Sequence, residues 1–319
     1  MKQLLLLLTF FILLNNCNTV KPELDYRDEM RTFVVEIASF ARDQDPDFIV
    51  IPQNGHELLT KNEQIASDYV STIDGLGQES LFFGYPTDDV STPDEDQYYL
   101  LNNLSIGKRN DKTILITDYA SSDSNIVRSK ESNSLRGYIS FVAPSRELDV
   151  IPDIPIRNEN TNNIRKLSEA KNFLYLLNYV DFDTKDALID AISATNYDAL
   201  IIDAFWGRDM FTATDIEELK QKANGGQRLV ISYMSIGEAE DYRFYWEDSW
   251  DKTELAWIES ENPNWPGNFK VKYWNKDWQQ LIYGSKNSYT QKIINAGFDG
   301  VYLDIIDAFW YFENKVKNN

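Results

Sequence analysis

Histidine and cysteine are almost missing from this chain: His56 and Cys17 are the single examples in 319 residues. One cysteine gives no disulfide framework. One histidine means that a Ser-His-Asp triad would have to run through His56, and no nucleophile elbow accompanies it. His56 follows a strand-like run and is read as structural. A zinc centre lacks its usual His and Cys ligands, so the metal sites left open by composition are those that carboxylates alone can build for magnesium or calcium. Positive charge is also scarce, with 31 Lys and Arg against 51 Asp and Glu and a net charge of −20, which argues against nucleic acid as a partner. The acidic surface serves solubility and would also suit a cationic ligand. No glycine-rich dinucleotide fingerprint and no phosphate-binding loop is present. Nothing after Leu14 is apolar for long enough to span a bilayer.

What the chain does have begins with Met1-Lys-Gln and the apolar run Leu4 to Leu14, the pattern of an export signal. Cys17 follows, with Leu14 three positions before it, as at a bacterial lipoprotein processing site; Asn16 stands where Gly or Ala is usual. The expectation is a lipoprotein-type signal over 1–17 with lipid on Cys17, a polar tether over 18–28, and an exported, membrane-anchored protein.

From residue 29 the pattern alternates. Phe48–Pro52, Ile73–Glu79, Thr113–Asp118, Tyr138–Val142, Phe173–Asn178, Ala199–Asp203, Arg228–Met234 and Val301–Asp304 read as strands. Helical spacing appears in Met30–Ala41, with Asp28 as its N-cap, around Gln64–Tyr69, in Thr184–Ala194, from a capping box at Thr214-Asp-Ile-Glu217 to Ala223, and over Asp277–Ala296 up to Gly297. Thr87–Asp96 reads as an acidic loop and 150–171 as a linker. Eight strand-like runs, four on each side of that linker and mostly separated by helices, predict a (β/α)8 TIM barrel over 29–319; a doubly wound open sheet is the alternative. The last strand lies close to Asn319, and no covering helix is expected after it.

Polar groups gather where these strands end: Asn54, Glu79, Asp118, Arg146, Asp203, Glu238, and Asp304 with Asp307. In a parallel barrel those ends share one face. A lone Asp after a strand is commonly a helix cap. Five acidic strand ends are harder to explain that way, because clustered carboxylates repel unless a site uses them. Two carboxylates, one protonated and one ionised, describe glycoside hydrolysis. Trp246, Trp250, Trp257, Trp265, Trp274 and Trp278 crowd the insertion after the seventh strand, with Tyr233, Tyr242, Tyr245 and Tyr273 interleaved. Such rings stack on sugar faces or give an insertion its own small core, and both readings stay open.

The stretches Tyr197-Asp-Ala-Leu-Ile-Ile-Asp203, Ser232-Tyr-Met-Ser-Ile-Gly-Glu-Ala-Glu-Asp-Tyr-Arg243, Asn264-Trp-Pro-Gly267 with Val271-Lys-Tyr-Trp274, and Ala296-Gly-Phe-Asp-Gly-Val-Tyr-Leu-Asp-Ile-Ile-Asp307 resemble strands two to four of glycoside hydrolase family 114, the endo-α-1,4-polygalactosaminidases and their bacterial relatives. Ile51-Pro-Gln-Asn-Gly-His-Glu-Leu-Leu59, Ile73-Asp-Gly-Leu-Gly-Gln-Glu79, Thr117-Asp-Tyr119 and Phe141–Asp149 resemble that family's strands five to eight. The resemblance implies a circularly permuted barrel, with strands 5–8 in residues 29–149 and strands 1–4 in 172–319. Met30–Ala41 would then be the helix that covers the last strand. It further implies Asp304 as nucleophile and Glu79 as acid/base, without a cofactor or metal. Asp203, Glu238, Arg243 and Asp307 would wall the sugar, joined by Gln53, Asn54, Asp118, Tyr119 and Arg146, with Trp265 and Trp274 as aromatic contacts. The expected activity is hydrolysis of an amino-sugar polysaccharide of the α-1,4-galactosaminan type. The alternative is a cell-surface glycan-binding protein without turnover.

Overall fold

The computed structural model of the protein describes residues 24–250 and 255–317. The signal-like segment, Cys17 and the first part of the expected tether lie outside the described residues.

Eight parallel strands organise the chain: β1 (Ile49–Pro52), β2 (Gly75–Glu79), β3 (Thr113–Tyr119), β4 (Ile139–Ala143), β5 (Phe173–Leu176), β6 (Ala199–Asp203), β7 (Leu229–Ser235) and β8 (Gly300–Asp304). They pair as β5-β6-β7-β8-β1 and as β2-β3-β4. A parallel bridge between Gln53 and Gly77 joins β1 to β2, backed by backbone bonds from Asn54 to Gly77 (2.9 Å) and from Asp74 to Val50 (2.9 Å). β8 sits in the middle, with Val301 opposite both Val50 and Ser232. Every residue of β1, β5 and β7 is buried, as expected for parallel strands covered on both faces. At the two ends of the series, Phe141 of β4 and Phe173 of β5 have ring centroids 5.8 Å apart.

Helices fill most of the connections: α1 (Tyr26–Arg42), α2 (Ser67–Thr72), α3 (Asp94–Arg109), α4 (Asp123–Ser134), α5 (Lys185–Ser193), α6 (Ala213–Leu219), α7 (Lys276–Ile282), α8 (Tyr289–Ala296) and α9 (Phe309–Lys317). Among the described residues no helix is long and apolar enough to cross a membrane. α1 begins earlier than the sequence pattern predicts. Its cap is Asp25, whose side chain accepts from the Asp28 N–H, while Asp28 pairs with Arg31. The tether therefore cannot reach residue 28. α6 is capped by a Thr212–Asp215 box, not by Thr214–Glu217; buried Phe211 and Ile216 stand at the staple positions that set this start. The single helix expected over 277–296 is two, because Gly284 takes φ +88° between α7 and α8, a conformation that suits glycine. Gln64 and Ile65 pair in a hairpin with Thr60 and Lys61, so the helix read there starts later, at Ser67.

α3, α4 and α9 were not expected. α3 and α4 are largely polar: α3 buries Leu104 and Gly107, and α4 buries Ser129 and Asn133. α9 does follow β8, and α1 packs beside it. Tyr26 stacks on Phe312 at 5.5 Å, the Arg27 guanidinium lies 4.6 Å from the Trp310 ring, and Arg27 pairs with Glu313 at 2.7 Å.

Residues 150–171 hold one 3-10 turn, Leu167–Glu169, but are firmly seated. Ile164 and Leu167 are buried, and Asn160 donates to Asp198, whose ion pair with Lys222 (2.6 Å) is wholly buried. Removing one partner of such a pair strands the other charge. Lys222→Met should therefore lose about 3–5 kcal/mol of stability, read by urea unfolding; a loss below about 1 kcal/mol would show that the pair does not tie this segment down.

Candidate active site

Because the strands are parallel and adjacent, their carboxyl ends bring distant residues together. Glu79 ends β2, Asp304 ends β8, and β1 runs between them, with Gln53 just past its end. The Tyr233 hydroxyl donates to Asp304 Oδ2 at 2.8 Å, and the backbone N–H of Ile305 also serves this carboxylate. Glu79 is gripped at both oxygens: Tyr119 donates to Oε1 and the Gln53 amide to Oε2. Gln53 in turn accepts from Tyr175 at 2.9 Å. Under this group lies Tyr302, its ring edge-on to Tyr175 at 5.3 Å. Its hydroxyl fills the space that a Cβ on Gly77 would need, 1.9 Å from the ideal Cβ position.

Just past each of these strand ends the chain turns left-handed: at Asn54 (φ 61°), two residues after β1, and at Ser80 (φ 53°) and Ile305 (φ 56°), directly after β2 and β8. For a β-branched residue such as Ile305 this is strained backbone. It turns the chain sharply at the points where Glu79 and Asp304 are presented.

Charge is unevenly matched here. Burial, reinforced by the charge of Glu79, pushes the Asp304 carboxyl up to about 8. Burial also lifts Asp307 to about 6, helped by Glu57, Glu79 and Glu238 and opposed by its own backbone N–H.

The other predicted residues divide. Asp203 forms a two-pronged pair with Arg243, both contacts 2.8 Å, and Arg243 Nε reaches Glu240 at 2.5 Å. Glu238 Oε1 accepts from Asn262 (2.9 Å) and Lys270 (3.0 Å). Asn54 receives the Glu79 N–H at 3.4 Å. Arg146 lies over the Tyr119 ring at 4.2 Å and pairs with Asp88 at 3.0 Å, behind Glu79. Gln53 belongs to the support rather than the wall, since both ends of its buried amide are committed.

Two expectations fail. Side chains alternate along β3, so Asp118 points away from Tyr119. Fully buried, it accepts from the N–H groups of Phe82 and Phe83, from Ser129 (2.6 Å) and from Asn133. Trp274 packs on Tyr26 (5.1 Å) and Phe312 (4.6 Å), in the seam of α1 and α9.

The tryptophans settle mainly as a small core. Trp246, Trp250, Trp257 and Trp278 touch in series at 5.1–5.3 Å, beside an antiparallel sheet of Glu238–Glu240, Asn268–Val271 and Ile258–Glu261. Trp265 is the open one, 49% exposed. His56 is buried against Gln78 at 2.7 Å, and burial lowers it to about 4, so it stays neutral. Among the described residues no group of three or more His, Cys, Asp or Glu is placed to hold a metal ion. Tyr175, Tyr302, Glu240, Lys270 and Asn262 were not picked out from the sequence. A tyrosine inside a buried apolar strand, as in Phe173-Leu-Tyr-Leu176, was the available signal for the first two.

These features define a parallel α/β protein with a two-carboxylate centre at its strand ends. The chain belongs to glycoside-hydrolase family GH114, whose family model matches residues 157–319, more than half of the sequence. An uncharacterized protein of Methanocaldococcus jannaschii is 40% identical over 163 residues, which cover 49% of this chain and 43% of that protein. Uncharacterized proteins of Thermotoga maritima and Deinococcus radiodurans are 38% and 36% identical over 123 and 127 residues, 38% and 40% of this chain and 36% and 39% of theirs. The chain thus matches less than half the length of each of these relatives.

A carboxyl raised in the folded state from an ordinary value of 3.8 to about 8 binds its proton more tightly folded than unfolded. Its contribution to stability is complete below about pH 4 and is lost as pH rises towards 8. Asp304→Asn should therefore raise the melting temperature relative to the parent by more at pH 8 than at pH 5. An equal shift at both values would contradict the raised affinity for the proton.

Proposed function

We propose that the protein is a glycosidase that hydrolyses an amino-sugar polysaccharide of the α-1,4-galactosaminan type, with Asp304 and Glu79 as its catalytic pair. One observation carries this reading: the two carboxyls end strands flanking β1, and burial, reinforced by the charge of Glu79, raises the Asp304 carboxyl to about 8. In the reactive form Asp304 carries the charge, which the Tyr233 hydroxyl and the Ile305 N–H stabilise. Glu79 gives its proton to the departing glycosidic oxygen. Asp304 meets the electron-poor anomeric carbon, and water finally supplies the oxygen that this carbon keeps. A separation near 5 Å between the two carboxyls in the substrate complex gives retention, and roughly 6.5–9.5 Å gives inversion.

The scaffold in this reading is a closed (β/α)8 barrel in circularly permuted order. The continuous strand series, the proximity of Phe141 and Phe173, the seat of α1 beside α9, and a family match confined to 157–319 support it. The chain would be exported and lipid-anchored at Cys17, which radiolabelled-lipid incorporation, lost in Cys17→Ser, would test.

Asp304→Asn and Glu79→Gln should each slow release of reducing ends from deacetylated galactosaminan by about 10²–10⁴-fold with an unchanged circular dichroism spectrum. The parent's activity should rise as pH climbs towards about 8, where Asp304 gives up the proton that burial holds on it. Undiminished activity in either variant would overturn the assignment. Glycan binding with no turnover by the parent would favour a non-catalytic glycan-binding protein.

A further inference from the structure

A recess of about 490 Å³ opens at the amino ends of β3, β4 and β5, the opposite strand ends from those that carry Glu79 and Asp304. It lies across β4 and β5, the two ends of the strand series, and the 150–171 segment forms one wall with Asn158, Ser168 and Lys171. Three lysines line it, Lys108, Lys112 and Lys171, and none has an ion-pair partner among the described residues. Lys108 Nζ donates to the Gly137 carbonyl (2.9 Å) and Lys112 Nζ to the Ile73 carbonyl (2.7 Å). These neutral acceptors hold each ammonium in place and leave its charge and two of its three donors uncompensated. The neighbouring acids are committed elsewhere: Asp74 to Arg42 at 2.8 Å, and Asp198, which accepts the Lys171 N–H, to Lys222 at 2.6 Å. Positive charge continues at the rim. Lys130 stands one turn before the lining Ser134 and Arg157 just before the lining Asn158, and burial together with the charge of Arg157 lowers the Lys130 ammonium. The chain as a whole carries −20, but a Debye length of about 8 Å at physiological salt lets such a cluster act locally.

We infer that this recess binds a small phosphate monoester. Three ammoniums against the single lining carboxylate, Asp111, leave two positive charges, and a phosphate monoester carries about 1.5–2 negative charges at pH 7. A carboxylate ligand is matched best by the planar fork of an arginine, and none lines the recess; lysines are point charges with rotatable donors, which suit a tetrahedral anion. Ile114, Tyr138 and Ile139 give apolar surface to the group esterified to the phosphate, and the volume falls in the range of small-molecule sites. The ligand takes no part in chemistry at the other strand ends. It bridges α3, the starts of β3 and β4, and the 150–171 segment, which the folded chain alone brings together, so its binding stabilises the fold.

Phenyl phosphate, inorganic phosphate and citrate are titrated calorimetrically, at fixed ionic strength, into the full chain and into Lys108→Gln, Lys171→Gln and Asp111→Asn, each with a thermal melt. Phenyl phosphate should bind the parent more tightly than inorganic phosphate, which lacks the apolar group, and more tightly than citrate, and it should raise the melting temperature. Each lysine variant should weaken it about ten-fold or more. Asp111→Asn should tighten it about two- to five-fold. If Lys108→Gln fails to fold without its bond to Gly137, Lys171→Gln decides, because the Lys171 ammonium holds no neighbour among the described residues. No binding of phenyl phosphate by the parent, or equal affinity in the parent and the lysine variants, overturns the site. Citrate bound as tightly as phenyl phosphate overturns the phosphate class, and inorganic phosphate bound as tightly overturns the monoester. The result stands whether or not the chain hydrolyses galactosaminan.

Discussion

The structure depends on holding carboxylates together without neutralising them. Asp304 and Glu79 are served by hydroxyl, amide and backbone donors, and no Lys or Arg pairs with either among the described residues. A cation in contact would fix both as anions. Neutral donors leave Asp304 free to hold a proton, which burial and the charge of Glu79 both favour. The nearby cations are engaged elsewhere: Arg243 with Asp203 and Glu240, Lys270 with Glu238, and Arg146 with Asp88.

Maintaining that arrangement sets the architecture beneath it. Tyr175, Tyr302, Tyr233 and Tyr119 project from four strands, a layer of rings whose upper edges are polar. Gly77 carries no side chain so that Tyr302 can fill the centre. The strand ends then turn through left-handed residues at Asn54, Ser80 and Ile305. Strain of this kind persists only where the surroundings over-determine it. Here the buried core of β1 and β8 supplies the restraint, and the gain is a fixed direction for each acid.

Much of the scaffold was legible because buried parallel strands read as short apolar runs. Ala199–Asp203 was placed to the residue, and the other seven strands within a few positions. Helices that bury few apolar groups were not legible: α3 and α4 face the sheet with residues such as Gly107, Ser129 and Asn133, which carry no hydrophobic period. Site residues were found by position, not by orientation. Asp118 and Glu79 look equivalent at the end of a strand, and alternation along β3 turns one towards Ser129 and Asn133 while Glu79 meets Tyr119. Trp274 was placed with the sugar contacts because six tryptophans crowd one insertion, and its tertiary partners on α1 and α9 could not be read from spacing. The Gln53–Tyr175 support spans 122 positions, a separation that no local pattern reveals.

The coupling between the two acids can be measured without any substrate. Carbon-13 NMR of labelled aspartate and glutamate carboxyls, assigned through Asp304→Asn, follows the titration of Asp304 in the parent and in Glu79→Gln. In the parent Asp304 should titrate near 8, and loss of the Glu79 charge should lower that midpoint. An Asp304 that titrates near 4 in the parent, unmoved by Glu79→Gln, would contradict the buried, coupled carboxyl on which the proposed chemistry rests.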